Sequence, residues 1–210
     1  MSSHEEKNKN SMLLRIAGVC GVLGSVLPLV MTLSATFLSS WFRWDENALS
    51  DLGVGEQALL FNSAVILGGL LSFFFAVGLY RYVGNAKLVK SGAFSIIGSS
   101  VSLALVGVFT INYLTIHAIV ALGYFLLAPI GFLLIGSGTK ENNVRKVSIT
   151  CGIAALLAIL LLPVIILVLP FGIGFAVPEL IEALAILVWT VFMSAKLIGQ
   201  SKLAGDARYA

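Results

Sequence analysis

Apolar residues run along this chain in long blocks, broken by short polar stretches. Six windows are nearly free of charge: Leu13–Leu38, Ala58–Tyr82, Gly92–Leu114, Ile116–Gly138, Val147–Leu169 and Val177–Ile198. Each holds about 22 to 26 residues, and about 20 are enough to cross a hydrocarbon core of about 30 Å as a helix. The pattern predicts an all-α, polytopic integral membrane protein. Its six-transmembrane-helix bundle covers residues 12–199, with polar tails at 1–11 and 200–210.

The connections differ in kind. Ser39–Gln57 is the one substantial loop, reading SSWFRWDENALSDLGVGEQ. Trp41, Phe42 and Trp44 suit an interfacial aromatic belt. Asp45 is placed to cap a short helix through Asn47–Leu49, and Gly53 and Gly55 permit a turn before the second span. Glu56 falls where the second helix presents its positive dipole end. Val83–Lys90 and Thr139–Lys146 are short and basic. Asn112–Thr115 is so tight that spans three and four must form a close antiparallel hairpin. Pro170–Pro178 is Gly-rich and apolar, suited to dipping into the interface.

Within the spans, small residues mark the expected contacts. Gly92, Ser95, Ser99 and Ser102 form one stripe on span three, and Gly68-Gly69 notches span two. Lipid supplies no hydrophobic force between helices, so close backbone approach at small residues is what packs them. Span three is therefore expected at the centre, with a homodimer face as the rival use of its stripe. Pro28, Pro129 and Pro163 each remove a backbone hydrogen bond and predict kinks. An inverted repeat of three spans plus three is geometrically allowed, but only Pro28 and Pro129 correspond.

Charge sets the expected orientation. Alternate loops place twelve Lys and Arg with four Asp and Glu on one side, and Arg43 alone with six acids on the other. Basic residues near span ends stay cytoplasmic, which predicts both termini inside a cell membrane. A chain 59% hydrophobic and 11% charged, with mean hydropathy +1.02, leaves no room for a soluble domain. The pI near 9.0 points to anionic lipid head groups and not to nucleic acid. The polar start lacks a signal-peptide core, so no cleavage is expected. Cys20 and Cys151 are expected as unpaired packing residues.

Polar residues near one membrane face carry the candidate chemistry. They are Arg43, Asp51, Asn62, His117, Glu179 and Glu182. Glu179 and Glu182 are three apart on span six, hence on one face. An ionisable residue inside a span usually faces the bundle interior or water. Together the six could form an acidic, partly aqueous pocket, with Arg43 as its one cation. The plainer reading makes Glu179 and His117 helix caps touching head groups. With His4 in the tail, His117 is the one histidine available there, so a three-histidine zinc site is excluded. No cofactor signature is present, and Ser50-Asp51 lacks a nucleophile motif.

The stretch NALSDLGVGEQALLFNSAVILGG resembles the signature of a prokaryotic six-span family catalogued as domain of unknown function number 998, distantly similar to the DRAM-like membrane proteins. The matching residues are Ser50, Asp51, Leu52, Gly53, Phe61, Asn62 and Gly68, with Glu182 and Trp189 on span six. Ala183 stands where family members often carry Arg. The resemblance implies the six-span fold and brings no established activity. Ser-Asp-Leu-Gly reads either as a turn, with Asp51 accepting backbone N–H groups and Gly53 at positive φ, or as part of the pocket lining.

The expected function is non-catalytic: binding of a lipid head group or small polar molecule in an outward-facing pocket, in an accessory, sensing or lipid-organising role. Membrane lipids are the expected partners, with a homodimer as a further option. The alternatives are a small secondary transporter and an intramembrane enzyme built on His117 and the acids.

Overall fold

A computed structural model describes residues 3–160, 164 and 174–206. Its six long helices are α1 (Ser3–Leu38), α2 (Ala58–Tyr82), α3 (Lys87–Val108), α4 (Leu114–Gly138), α5 (Asn142–Leu160) and α6 (Ala176–Asp206). Single 3-10 turns occur at Leu49–Gly53 and Ile111–Tyr113, and there is no strand among the described residues. All six helices contain a window long and apolar enough to cross a membrane. Large apolar side chains turn outward, Phe37 at 90% and Leu59 at 84% exposure. Water would oppose that exposure, whereas lipid accepts it.

The helices form a closed ring. Each packs on its neighbours in sequence, and α6 returns to pack on α1. Small residues set the close approaches, as expected between helices in lipid. A Cβ at Gly92 would fall 2.6 Å from the Gly131 carbonyl of α4, and one at Gly69 would fall 2.4 Å from the Ala104 nitrogen of α3. The predicted stripe on α3 is the seat of α4. Ser95 donates to the Leu127 carbonyl (2.7 Å) and Ser99 to that of Tyr124 (3.1 Å). Ser102 lies against Gly123. The stripe is thus occupied within the chain, by α4.

Helix boundaries depart from the apolar windows where polar residues extend a turn. α3 begins at Lys87, because Lys90 reaches back to the Tyr80 carbonyl in the last turn of α2 (2.5 Å). It ends at Val108, six residues before its window does. α4 starts at Leu114, directly after the 3-10 turn. Pro178 sits in the first turn of α6, where a missing N–H leaves no carbonyl unpaired. Pro163 and residues 170–173 lie outside the described residues.

The buried apolar residues separate into two clusters. One holds Phe75, Ile96, Ala128, Phe132, Trp189 and Met193 at mid-bundle and towards the termini. The other holds Ala35, Leu49, Leu52, Phe61, Val65, Val106 and Ala176 at the end carrying Ser39–Gln57, called loop one below. Trp189 centres the first. Its indole stacks on Phe132 (4.0 Å between centroids), meets Phe75 edge-on (6.2 Å), and donates to Ser148 Oγ of α5 (2.8 Å). Cys20 and Cys151 are both free thiols.

Two substitutions test this packing. Gly92→Leu should destabilise the bundle by about 1–3 kcal/mol through overpacking. Gly84→Ala, where a Cβ meets open space, should leave the unfolding midpoint unchanged. Thermal unfolding in mild detergent measures both.

Candidate functional site

Between the two clusters lies a cavity of about 570 Å³, within the ~300–1,000 Å³ common for small-molecule sites. All the helices but α5 line it through described residues, and loop one closes one end. At that end stand Ala48–Ser50, His117, Phe175 and Glu179. At the deep end stand Phe75, Ile96, Ala128 and Phe132, from the first buried cluster. On α6 the lining stripe is Glu179, Ala183, Ile186 and Thr190. At 1.5 Å per residue it spans about 16 Å.

Polarity changes along that length. The deep wall includes hydroxyls, but Ser25 donates to the Gly21 carbonyl (2.9 Å), Ser99 to Tyr124 (3.1 Å) and Ser100 to Ile96 (2.8 Å). Their protons are committed to the bundle. At the loop-one end a carboxylate and an imidazole face the same space.

Loop one is held by side chains that the sequence had marked as pocket candidates. Glu179 Oε2 accepts the Leu49 N–H (2.5 Å), while Asp51 Oδ2 accepts the Ala48 N–H (3.0 Å) and the Asn47 side-chain amide (3.2 Å). The unpaired amides at the start of the 3-10 turn are thereby satisfied by two carboxylates, one local and one from α6. Asn47 fixes the strap at both ends. Its Oδ1 accepts from the Arg43 N–H (2.8 Å), and its carbonyl accepts from the Ala176 N–H (2.9 Å). Asn62 of α2 donates to the Gly53 carbonyl (3.0 Å), and Leu52 between them is fully buried.

Several local expectations need correction. Asp45 does not cap the short helix. That turn starts two residues later than expected, at Leu49, and its donors face Asp51 and Glu179. Asp45 instead pairs with Arg43 (3.0 Å). Gly53 does not supply the positive φ, which belongs to Gly55 (φ 96). Gly53 is required by space, since a Cβ there would fall 2.9 Å from Asn62 Oδ1. Glu56 is exposed and precedes α2.

The six candidate residues divide. His117 and Glu179 line the cavity. Asp51 and Asn62 hold loop one over it and do not line it. Arg43 lies outside, its side chain 58% exposed and paired with Asp45 and Glu46. The hydrogen bond from Arg43 lowers the Asp45 carboxyl below its ordinary value, and the same contact raises the guanidinium. Glu182 is fully buried beside the lining stripe, with no hydrogen-bond partner for either oxygen among the described residues. The cation expected to neutralise the acids therefore faces solvent.

His117 is 6% exposed, and its Nδ1 meets the Phe109 carbonyl at 2.7 Å. A carbonyl only accepts, so Nδ1 carries the proton. The ring thus closes the end of α3 while its other edge belongs to the cavity. Among the described residues no three His, Cys, Asp or Glu side chains gather as a metal site. Sequence reasoning passed over Thr32, Tyr124, Phe125 and Thr190 as lining residues. On α6 the signal was available, as Glu179, Ala183, Ile186 and Thr190 recur at i, i+4, i+7 and i+11.

These features define a multi-pass, helical membrane protein with a cavity under its longest loop. The chain belongs to the family described as "Protein of unknown function (DUF998)", which matches residues 22–196. No curated protein and no solved structure matches it.

Asp51→Ala should remove one cap, worth about 0.5–2 kcal/mol. Amide exchange through residues 48–54 should accelerate several-fold while the helices stay protected. Arg43→Gln should leave both exchange and the unfolding midpoint unchanged, because its ion pairs are exposed. Hydrogen-exchange mass spectrometry reads the two variants side by side.

Proposed function

We propose that the protein is a non-catalytic membrane protein that holds an amphiphile, with the head at the loop-one end and the apolar chain reaching towards Phe75 and Phe132. One observation carries this reading: the lining is mostly apolar, while its ionisable acid and imidazole, Glu179 and His117, stand together at the loop-one end. A small polar molecule would leave the aromatic floor unmatched. A purely apolar one would leave His117 Nε2 without a partner, at the cost of a buried polar atom unsatisfied. An accessory, sensing or lipid-organising role fits such retention. The distribution of Lys and Arg supports both termini on the cytoplasmic side of the cell membrane, with loop one outside. A transport route has less support, since Trp189, Phe75 and Phe132 pack together at the deep end of the cavity.

The test is retention through purification. Wild-type protein extracted in mild detergent should carry a stoichiometric amphiphile visible by native mass spectrometry. Ala183→Phe, which fills the lining stripe, should lower occupancy at least several-fold. Ile119→Phe, on an outward face, should not change it. Equal retention by all three proteins would refute the reading. For orientation, a membrane-impermeant thiol reagent on intact cells should label Glu46→Cys and spare Lys140→Cys.

A further inference from the structure

We propose that the head of the bound amphiphile is a cationic hydrogen-bond donor, an amine carried on an apolar chain, recognised by the Glu179 carboxylate and His117 Nε2. This rests on the cavity holding an amphiphile at all, and adds the chemistry of its head.

The charged lining of the cavity is one-sided, although the hydroxyls of Thr32, Ser50, Ser72, Tyr124 and Thr190 also line it. No Lys or Arg is among the described residues lining it. Arg43, the nearest base in loop one, is turned outward against Asp45 and Glu46. Glu179 presents a carboxyl group whose described partners are backbone N–H groups of loop one. His117 commits its Nδ1 proton to Phe109, so in the neutral ring Nε2 offers a lone pair. That ring is deeply buried and lines the cavity.

Deeper in the cavity, two prolines leave carbonyls without their helical donors. Pro28 lacks the N–H that would meet the Gly24 carbonyl, and Pro129 lacks the one that would meet Phe125. Gly24 and Phe125 both line the cavity. The hydroxyls of Ser25, Ser99 and Ser100 donate into helices, leaving only their lone pairs uncommitted. Glu182, one turn deeper than Glu179, adds a second buried carboxyl group without a described partner. A phosphate, sulfate or carboxylate head would meet no cation among the described lining residues. An ammonium head supplies the positive charge that the described lining lacks, in charge-assisted hydrogen bonds.

The experiment uses the full chain in neutral detergent with three probes of equal chain length: dodecylamine, dodecanol and dodecyl phosphate. Dodecylamine should bind about ten-fold tighter than the phosphate, the scale of one charge-assisted hydrogen bond. Glu179→Gln, which can still accept the Leu49 N–H, should erase that preference while dodecanol still binds. If this variant does not fold, the ranking of the three probes on wild-type protein decides the matter. Phosphate binding equal to or tighter than amine binding would overturn the head assignment and leave the cavity reading standing. Failure of all three probes to bind in a manner sensitive to Ala183→Phe would overturn the cavity reading itself. Competition by nanodiscs of ethanolamine-headed lipid supports the proposal with a membrane lipid as the source. Amine binding without that competition supports it with a single-chain amine.

Discussion

The bond from the Leu49 amide to Glu179 joins residues 130 positions apart and decides what the rest of the loop-one end can be. A loop laid over an apolar bundle brings backbone N–H groups away from water, and each needs an acceptor. Loop one meets this need with a short 3-10 turn whose first amides point at carboxylates. Because one of those carboxylates stands on α6, satisfying the turn also positions the loop against the last helix. The Asn47 carbonyl and the Ala176 amide fix the same contact from the backbone. Leu52 can then be fully buried, and the cavity acquires a roof.

The floor is made by a different kind of force. Trp189 brings aromatic surface from α2 and α4 together and gives its one polar atom to Ser148. Stacking and a satisfied indole N–H make it a rigid centre, as large aromatics with a partnered polar handle are. Roof and floor thus rest on separate interactions, one polar and one aromatic. The space between is not filled because the lining residues of α6 and α4 include small ones, Ala183, Ala118, Ala121 and Ala128. The site is a gap left by side-chain size between two well-packed regions.

The fold was legible because the membrane leaves few options: block length gave the helices, and the Gly92–Ser102 stripe gave a contact face. What lay beyond reach was pairing in space. The tight Asn112–Thr115 connection paired α3 with α4, but nothing in the sequence paired α1 with α6. Arg43 looked like the counter-charge of the outer acids because sequence shows the supply of charges and not their direction. Its neighbours Asp45 and Glu46 were closer. Gly53 was assigned a backbone role, since only the structure shows the Asn62 oxygen where its Cβ would be. Glu179 and His117 were weighed as caps of their own helices or as pocket residues; their bonds instead reach loop one and the end of α3.

The ring order has a consequence for how the protein is made. Synthesis delivers α1 first and α6 last, yet these two helices are neighbours, tied by Ser11 to the Ser201 carbonyl (2.7 Å). The groove of Gly18 and Gly21 on α1 that receives Ser194 and Ile198 is therefore open to lipid until α6 is made. No cavity exists before that moment, and the loop-one turn waits for its α6 acceptor just as long. A ribosome stalled after α5 would leave five inserted helices with a half-built site and a strap without its anchor.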